Sequence, residues 1–492
     1  MGQPWIIALI IGAYFMTLII VARLSSRGAT NKTYFTGNRN IAWPIVALAM
    51  VTAPISGLTF ISVPGMVVTK GFSYLQMCLG FVVGYFIIAW LLVPLFYKRN
   101  IVSIYSFLEE RFGVSTYKTG AWLFLISEIL GVGVRFMVVC MMLQLLVFEP
   151  LHLPFVLNVA VTMSLIWLYT AKGGVKSVVW SDTIKSIILL TSLILCFYFI
   201  SQSLNFSSSD LVSTVSQHPT TKIFNFDDPW ESSYFWKQFL TGIFLVVAMT
   251  GLDQDLMQRI LACKDAKGSR KNLIVSGSLQ FVVIALFLAL GTLMAIYLES
   301  RSIPIPEKTD NIFATVAFHQ DMPLIVSLLF VLGLVSASYS SVGSALTSLT
   351  TSYTVDILDG MKKYDEIQLK KIRRKVHGSM ALMMSGVIII CYYLNHQDAI
   401  TALFTLASYT YGPILGLFIF GIFTKREPQQ KWIPLTCFLA PVICWGISRL
   451  LWIFFDYSTG YEIFLLNALL TLGGLFIIPQ TVKKVNEQPV II

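Results

Sequence analysis

Val51-Thr52-Ala53-Pro54-Ile55-Ser56-Gly57-Leu58-Thr59 stands in the middle of an apolar run covering 42–63. A proline set beside serine and glycine interrupts the hydrogen-bond ladder of a helix. At bilayer depth, freed carbonyls persist only inside protein or against a wet cavity. If the run crosses a membrane, two readings are open: a proline kink with Ser and Thr bonding back to the helix, or an unwound segment beside a cavity. The rest of the chain supplies the premise. Its 492 residues are 56% hydrophobic and 12% charged, with a mean hydropathy of +0.75, whereas a soluble domain carries about 25% charged residues. This excludes a water-soluble multidomain enzyme and a disordered chain. A polytopic membrane protein remains.

A spanning helix needs about 20 apolar residues. Thirteen runs are candidates: 6–21, 42–63, 74–96, 119–148, 153–169, 177–200, 235–253, 273–297, 323–353, 380–394, 400–423, 432–455 and 461–478. The first lacks a small-residue cleavage site and is expected to be retained. Basic residues alternate sharply between the connecting loops. One set of loops holds 27, among them Arg23, Arg39, Lys98, Arg111, Arg259 and seven within 362–375, while the other holds four, Lys70, Lys222, Arg301 and Lys308. The basic side faces the cytoplasm, so the N-terminus is expected outside and the C-terminus inside. The expected location is the plasma (inner) membrane, as one multi-pass domain over 1–492. The net charge of +10 is then a topology signal rather than a nucleic-acid patch, and no nucleic acid is expected as a partner.

Other signals are few. The seven cysteines form no metal-spaced or CxxC pattern, so neither a disulfide framework nor a metal centre is indicated. No phosphate-binding GxxxxGK[ST] and no TVGYG filter occurs, which argues against an ATP-driven pump and a potassium channel. The outer loop 201–231 carries the sequon Asn205-Phe206-Ser207. The five histidines, His152, His218, His319, His377 and His396, lie in loops or at span ends and read as solvated or interfacial.

Polar and ionisable residues inside spans are costly and mark functional sites. In the run at 323–353, Ser340, Ser341 and Ser344 share one helical face. Hydroxyls with the carbonyls freed near Thr52 and Ile55 suit a hard monovalent cation; small-residue helix packing is the other reading. Asp182 is either an ion ligand or a proton carrier, or it pairs with Lys185. Arg135 has a planar fork suited to a carboxylate, which points to an anionic substrate; pairing with Glu128 or Asp182 is the alternative. Breaks at mid-membrane mark the binding site of secondary transporters. A second break, expected five helices after the first, has its candidate at Ala248-Met249-Thr250-Gly251-Leu252-Asp253.

Four further segments carry a resemblance: Ser103-Ile104-Tyr105-Ser106-Phe107-Leu108-Glu109-Glu110-Arg111-Phe112-Gly113, Gly173-Gly174-Val175-Lys176-Ser177-Val178-Val179-Trp180-Ser181-Asp182, Asp253-Gln254-Asp255-Leu256-Met257-Gln258-Arg259 and Tyr411-Gly412-Pro413-Ile414-Leu415-Gly416-Leu417-Phe418. In order and depth they resemble signatures of the sodium:solute symporter family. The resemblance implies an all-α fold with an inverted five-helix-repeat core, one leading and two trailing helices, and repeats over 42–200 and 233–423. It implies sodium-driven import of a small organic solute, with no cofactor beyond sodium as coupling ion. The sodium site would use Thr52, Ile55, Ala337, Ser340 and Ser341. Some members hold a second sodium, which here would use Asp182, Ser340 and Ser344, although Gly343 stands where such a member has serine. Leu58 with Thr59, and Pro54, depart from the sugar and proline transporters. Residues 56–64 are similar to the sialic acid branch, so a sugar acid is expected, with Ser56, Thr59, Gln76 and Arg135 as its residues. That branch's own glutamine falls on Cys78.

Other classes remain distinguishable. Proton coupling through Asp182 or Glu128 would survive replacement of sodium by choline. A monocarboxylate, vitamin or sugar would be carried by the same fold. A channel would pass solute without accumulating it. No enzyme chemistry is indicated, and the oligomeric state is not legible.

Overall fold

A computed structural model of the chain describes residues 4–26, 30–172, 174–206, 208–394, 399–457 and 459–480. Gly173, Ser207 and His396, named above, lie outside them, as do Arg27, Lys483 and Lys484, three of the 27 basic residues counted on one side. The helices used below are α1 (Pro4–Ser25), α2 (Trp43–Thr52), α3 (Gly57–Lys70), α4 (Tyr74–Ile87), α5 (Val114–Leu143), α6 (Phe155–Thr170), α7 (Gly174–Ser203) and α8 (Phe235–Val246). They continue with α9 (Gln254–Ile260), α10 (Ala266–Ser300), α11 (Leu324–Ser352), α12 (Glu366–Leu394), α13 (Ala399–Phe423), α14 (Ile433–Phe455) and α15 (Ile463–Ile477). Among the described residues β structure is limited to two isolated bridges, Ile41 with Cys263 and Pro428 with Gln480.

By length and composition, nine described helices can cross a membrane, or up to eleven when each of two bent pairs counts as one span. Thirteen runs were expected. The difference is α6 and α15, whose 16 and 15 residues reach only about 24 and 22 Å, short of a ~30 Å hydrocarbon core. The short run at 380–394 is the second half of the 29-residue α12. Much of the basic segment 362–375 is therefore helix rather than loop; Asp365 starts it by accepting from the Gln368 amide at 2.8 Å.

Both expected breaks are present. α2 and α3 meet at 53°, and the helix containing α8 meets α9 at 73°. At the first break, residues 53–56 belong to neither helix, as Pro54 dictates. At the second, a wide turn over Val247–Gly251 leads to Asp253, whose Oδ1 accepts from the amides of Asp255 (2.7 Å) and Leu256 (3.2 Å) and so starts α9.

α11 is the central post, buried without interruption from 333 to 352. Its small residues let neighbours approach. A Cβ added at Gly57, the first residue of α3, would collide with Ser338 Oγ and with Val139. This contact holds the first break against α11 two residues before Ser340. α14 lies at the periphery, with Phe438, Trp445, Trp452 and Phe454 exposed.

Candidate functional site

The residues expected to hold sodium lie buried at the first break and along α11. Thr52, Ile55, Ala337, Ser340 and Ser341 are all at most 4% exposed. Thr52 hydrogen-bonds with Ser186 of α7, and Ser341 Oγ donates to the Ser338 carbonyl at 3.1 Å. Ser340 Oγ is buried without a protein partner. An orphaned hydroxyl in a helix interior costs about 1–3 kcal/mol, a cost that a bound cation removes. The residues present therefore fit a monovalent ion of oxygen-seeking chemistry.

Next to this point a cavity of about 110 Å³ is lined by both breaks, α4, α5, α10 and α13; Ser56, Thr59 and Arg135 all line it. Arg135 Nη2 lies 3.5 Å from both carboxylate oxygens of Glu128, a loose pair, and its Nε donates to the Gly131 carbonyl at 3.2 Å. Glu128 also faces Tyr411 of α13, whose hydroxyl donates to Asp253 Oδ2 at 2.6 Å and lies 3.3 Å from Glu128 Oε2. The cavity thus offers one arginine fork for an anion, serine and threonine hydroxyls from the first break, and carboxylates from α5 and the second break. In the sequence Tyr411 stands out only as part of the Tyr411–Phe418 motif. A hydroxyl one residue before Gly412-Pro413 in a span was the signal available for its role.

Three expectations are corrected. Gln76 does not line the cavity. Its side chain donates to the Ser233 carbonyl (2.9 Å) and accepts from the Asn225 amide (3.0 Å), so it pins the outer loop to α4. Asp182 is held by the chain's own cations: its Oδ1 meets Lys185 Nζ at 3.3 Å and its Oδ2 lies 3.2 Å from Arg259 Nη1, with all three residues at most 1% exposed. Ser344 turns instead to Asp255, donating to Oδ2 at 3.1 Å, and Asp255 also takes Arg259 Nη2 at 2.7 Å. His377 is not solvated. It is 1% exposed and hydrogen-bonds with Thr170 (3.0 Å) and Thr350 (2.9 Å), tying α6, α11 and α12 together.

The two ends of the bundle differ. At the basic-poor end a vestibule of about 1690 Å³ stands open, and Tyr74 lines both it and the cavity. At the basic-rich end, buried hydrogen bonds tie the helices together. Asp356, fully buried, accepts from Ser103 (2.9 Å), Tyr117 (2.8 Å) and Ser352 (2.6 Å). Tyr105 closes on the Leu252 carbonyl at 3.0 Å.

Comparison with known proteins bears on the family and the fold. The chain is 26% identical over 403 residues to the sodium/sialic acid symporter NanT of Aliivibrio fischeri, covering 80% of this chain and 78% of that one. It is 25% identical over 436 residues to the sodium/sialic acid symporter SiaT of Proteus mirabilis, covering 85% and 84%. The human sodium/iodide cotransporter is 25% identical over 421 residues, covering 82% and 62%. Among solved structures, a Na+-coupled sialic acid symporter in a substrate-bound outward-open state shares the fold, with a TM-score of 0.83 at 20% identity over 98% of this chain and 99% of that one. Residues 34–430 match the sequence signature of the sodium:solute symporter family, and the chain belongs to that family.

Proposed function

We propose that this protein imports a sugar acid of the sialic acid type, driven by the sodium gradient. The observation that carries the reading is Arg135, set in the cavity beside Ser56 and Thr59 of the first break. Two relatives named as sodium/sialic acid symporters, each aligned over most of both chains, support it. Sodium at Thr52, Ile55, Ala337, Ser340 and Ser341 fixes the unwound segment, and Ser56 and Thr59 are thereby set for the substrate. The two ligands then favour one another reciprocally. The repeats are 42–200 and 233–423, the membrane is the plasma membrane, and the N-terminus is outside. The lopsided basic loops support that orientation, which makes the open vestibule the extracellular one.

Uptake into sodium-loaded-outside proteoliposomes tests the reading. Sialic acid is expected to accumulate with sodium and not with choline at the same pH. Arg135→Ala is expected to weaken uptake about 10- to 100-fold, the worth of a charge-assisted hydrogen bond of about 1.5–3 kcal/mol. Full retention would remove the carboxylate assignment. Glu128 occupies the same arginine that the substrate carboxylate needs, so Glu128→Gln is expected to lower the half-saturating sialic acid concentration several-fold. A raised value would show that Glu128 serves the substrate rather than competing with it.

A further inference from the structure

The surroundings of Asp182 hold more than a correction. Lys185 Nζ sits 3.3 Å from Asp182 Oδ1, 3.1 Å from the Tyr339 carbonyl and 3.2 Å from the Tyr169 hydroxyl, over the face of the Tyr169 ring at 4.8 Å. A carboxylate, a main-chain carbonyl and a hydroxyl are the donor types a sodium ion would take. Here they surround an ammonium, with the longer separations of N–H···O bonds rather than the ~2.3–2.6 Å of a hard-cation bond.

The seat is closed by a second feature. Tyr169 donates to the Tyr339 carbonyl at 2.7 Å, and its hydroxyl lies where a Cβ on Gly343 would be. Any side chain at 343, a serine included, would displace Tyr169 and with it one contact of Lys185. The glycine and the lysine belong to one arrangement. Arg259 covers the other oxygen of Asp182, and Ser344 is turned to Asp255.

We infer that Lys185 is a tethered cation standing where a second sodium would bind, so that this transporter takes up one sodium ion per chain, at the site near Ser340. The inference rests on the sodium-coupled reading above. It accounts for a fully buried lysine that the transport cycle does not otherwise use.

Equilibrium binding of radioactive sodium to the purified full-length chain, without substrate, tests it. One ion per chain is expected in the wild type, with a Hill coefficient of one, and two would overturn the inference. Lys185→Ala is expected to bind a second sodium, while Lys185→Arg keeps one. A Lys185→Ala protein that stays monodisperse, keeps a cooperative melting transition and still binds only one would also overturn it. Should Lys185→Ala fail to fold, the wild-type count decides alone. No sodium bound to the wild type, together with uptake unaffected by choline, would instead sink the sodium-coupled reading itself.

Discussion

Ser340→Ala is expected to raise the half-saturating sodium concentration for uptake about 10- to 100-fold, which near physiological sodium reads as loss of sodium-driven transport. The hydroxyl has no protein partner, so its removal breaks no hydrogen bond and leaves no group unsatisfied. What is lost is one ligand to a bound cation, about 1.5–3 kcal/mol by the scale of charged hydrogen bonds. Ser341→Ala should act in the same direction, with an added cost of about 1 kcal/mol in stability, because its hydroxyl also donates to Ser338. Each sodium entering down an inside-negative potential of 100 mV gains about 2.3 kcal/mol. Losing the ion therefore removes the drive for accumulation as well as affinity. The measurement is initial uptake against sodium concentration in proteoliposomes, with a melting curve for each variant. Unchanged sodium dependence in both variants would remove the site from α11.

Asp182→Asn is expected to cost about 3–5 kcal/mol of stability, the range for removing one partner of a buried ion pair. The carboxylate is the counter-charge for Lys185 and shares Arg259 with Asp255, and all four residues are at most 7% exposed. A neutral amide would leave the lysine with only dipoles around it. The melting temperature and the monodisperse fraction in detergent should fall sharply, in sodium and in potassium alike. Adding Lys185→Met to Asp182→Asn should recover part of the loss, since the uncompensated charge goes with it. A sodium ligand would behave otherwise: stability would hold, and sodium dependence would shift. That outcome would contradict the ion-pair role.

The backbone was far more legible than the neighbours. Pro54 with Gly57, and Gly251 with Asp253, announced the breaks because proline, glycine and a capping aspartate act locally. Ser340 and Ser341 announced themselves because polar groups in a span are scarce. Helical spacing gives the face on which a side chain lies but not what lies opposite. Arg259 was therefore counted with the cytoplasmic basic residues, although the 73° bend swings α9 into the bundle and buries it. Lys185 was readable only as a neighbour of Asp182 along α7; its contacts with Tyr169 and Tyr339 depend on packing between α6, α7 and α11. Gln76 misled because a buried glutamine near a cavity and one serving a loop look alike in sequence.

α1 stands outside the two bent pairs, yet it faces the most highly charged part of the interior. Tyr14, Leu18 and Ala22 lie along one buried stripe, Phe15 packs edge-on against Tyr339 at 4.6 Å, and Ser25 meets Ser177 at 2.7 Å. On its other side Leu9, Met16, Ile20 and Leu24 are exposed. The buried stripe packs on α7 and α11, which carry Lys185, Asp182 and Tyr339, in an interior where an ionised group is costly. The leading helix thus acts as an insulator. It adds apolar packing beside a chamber to which it contributes no charge.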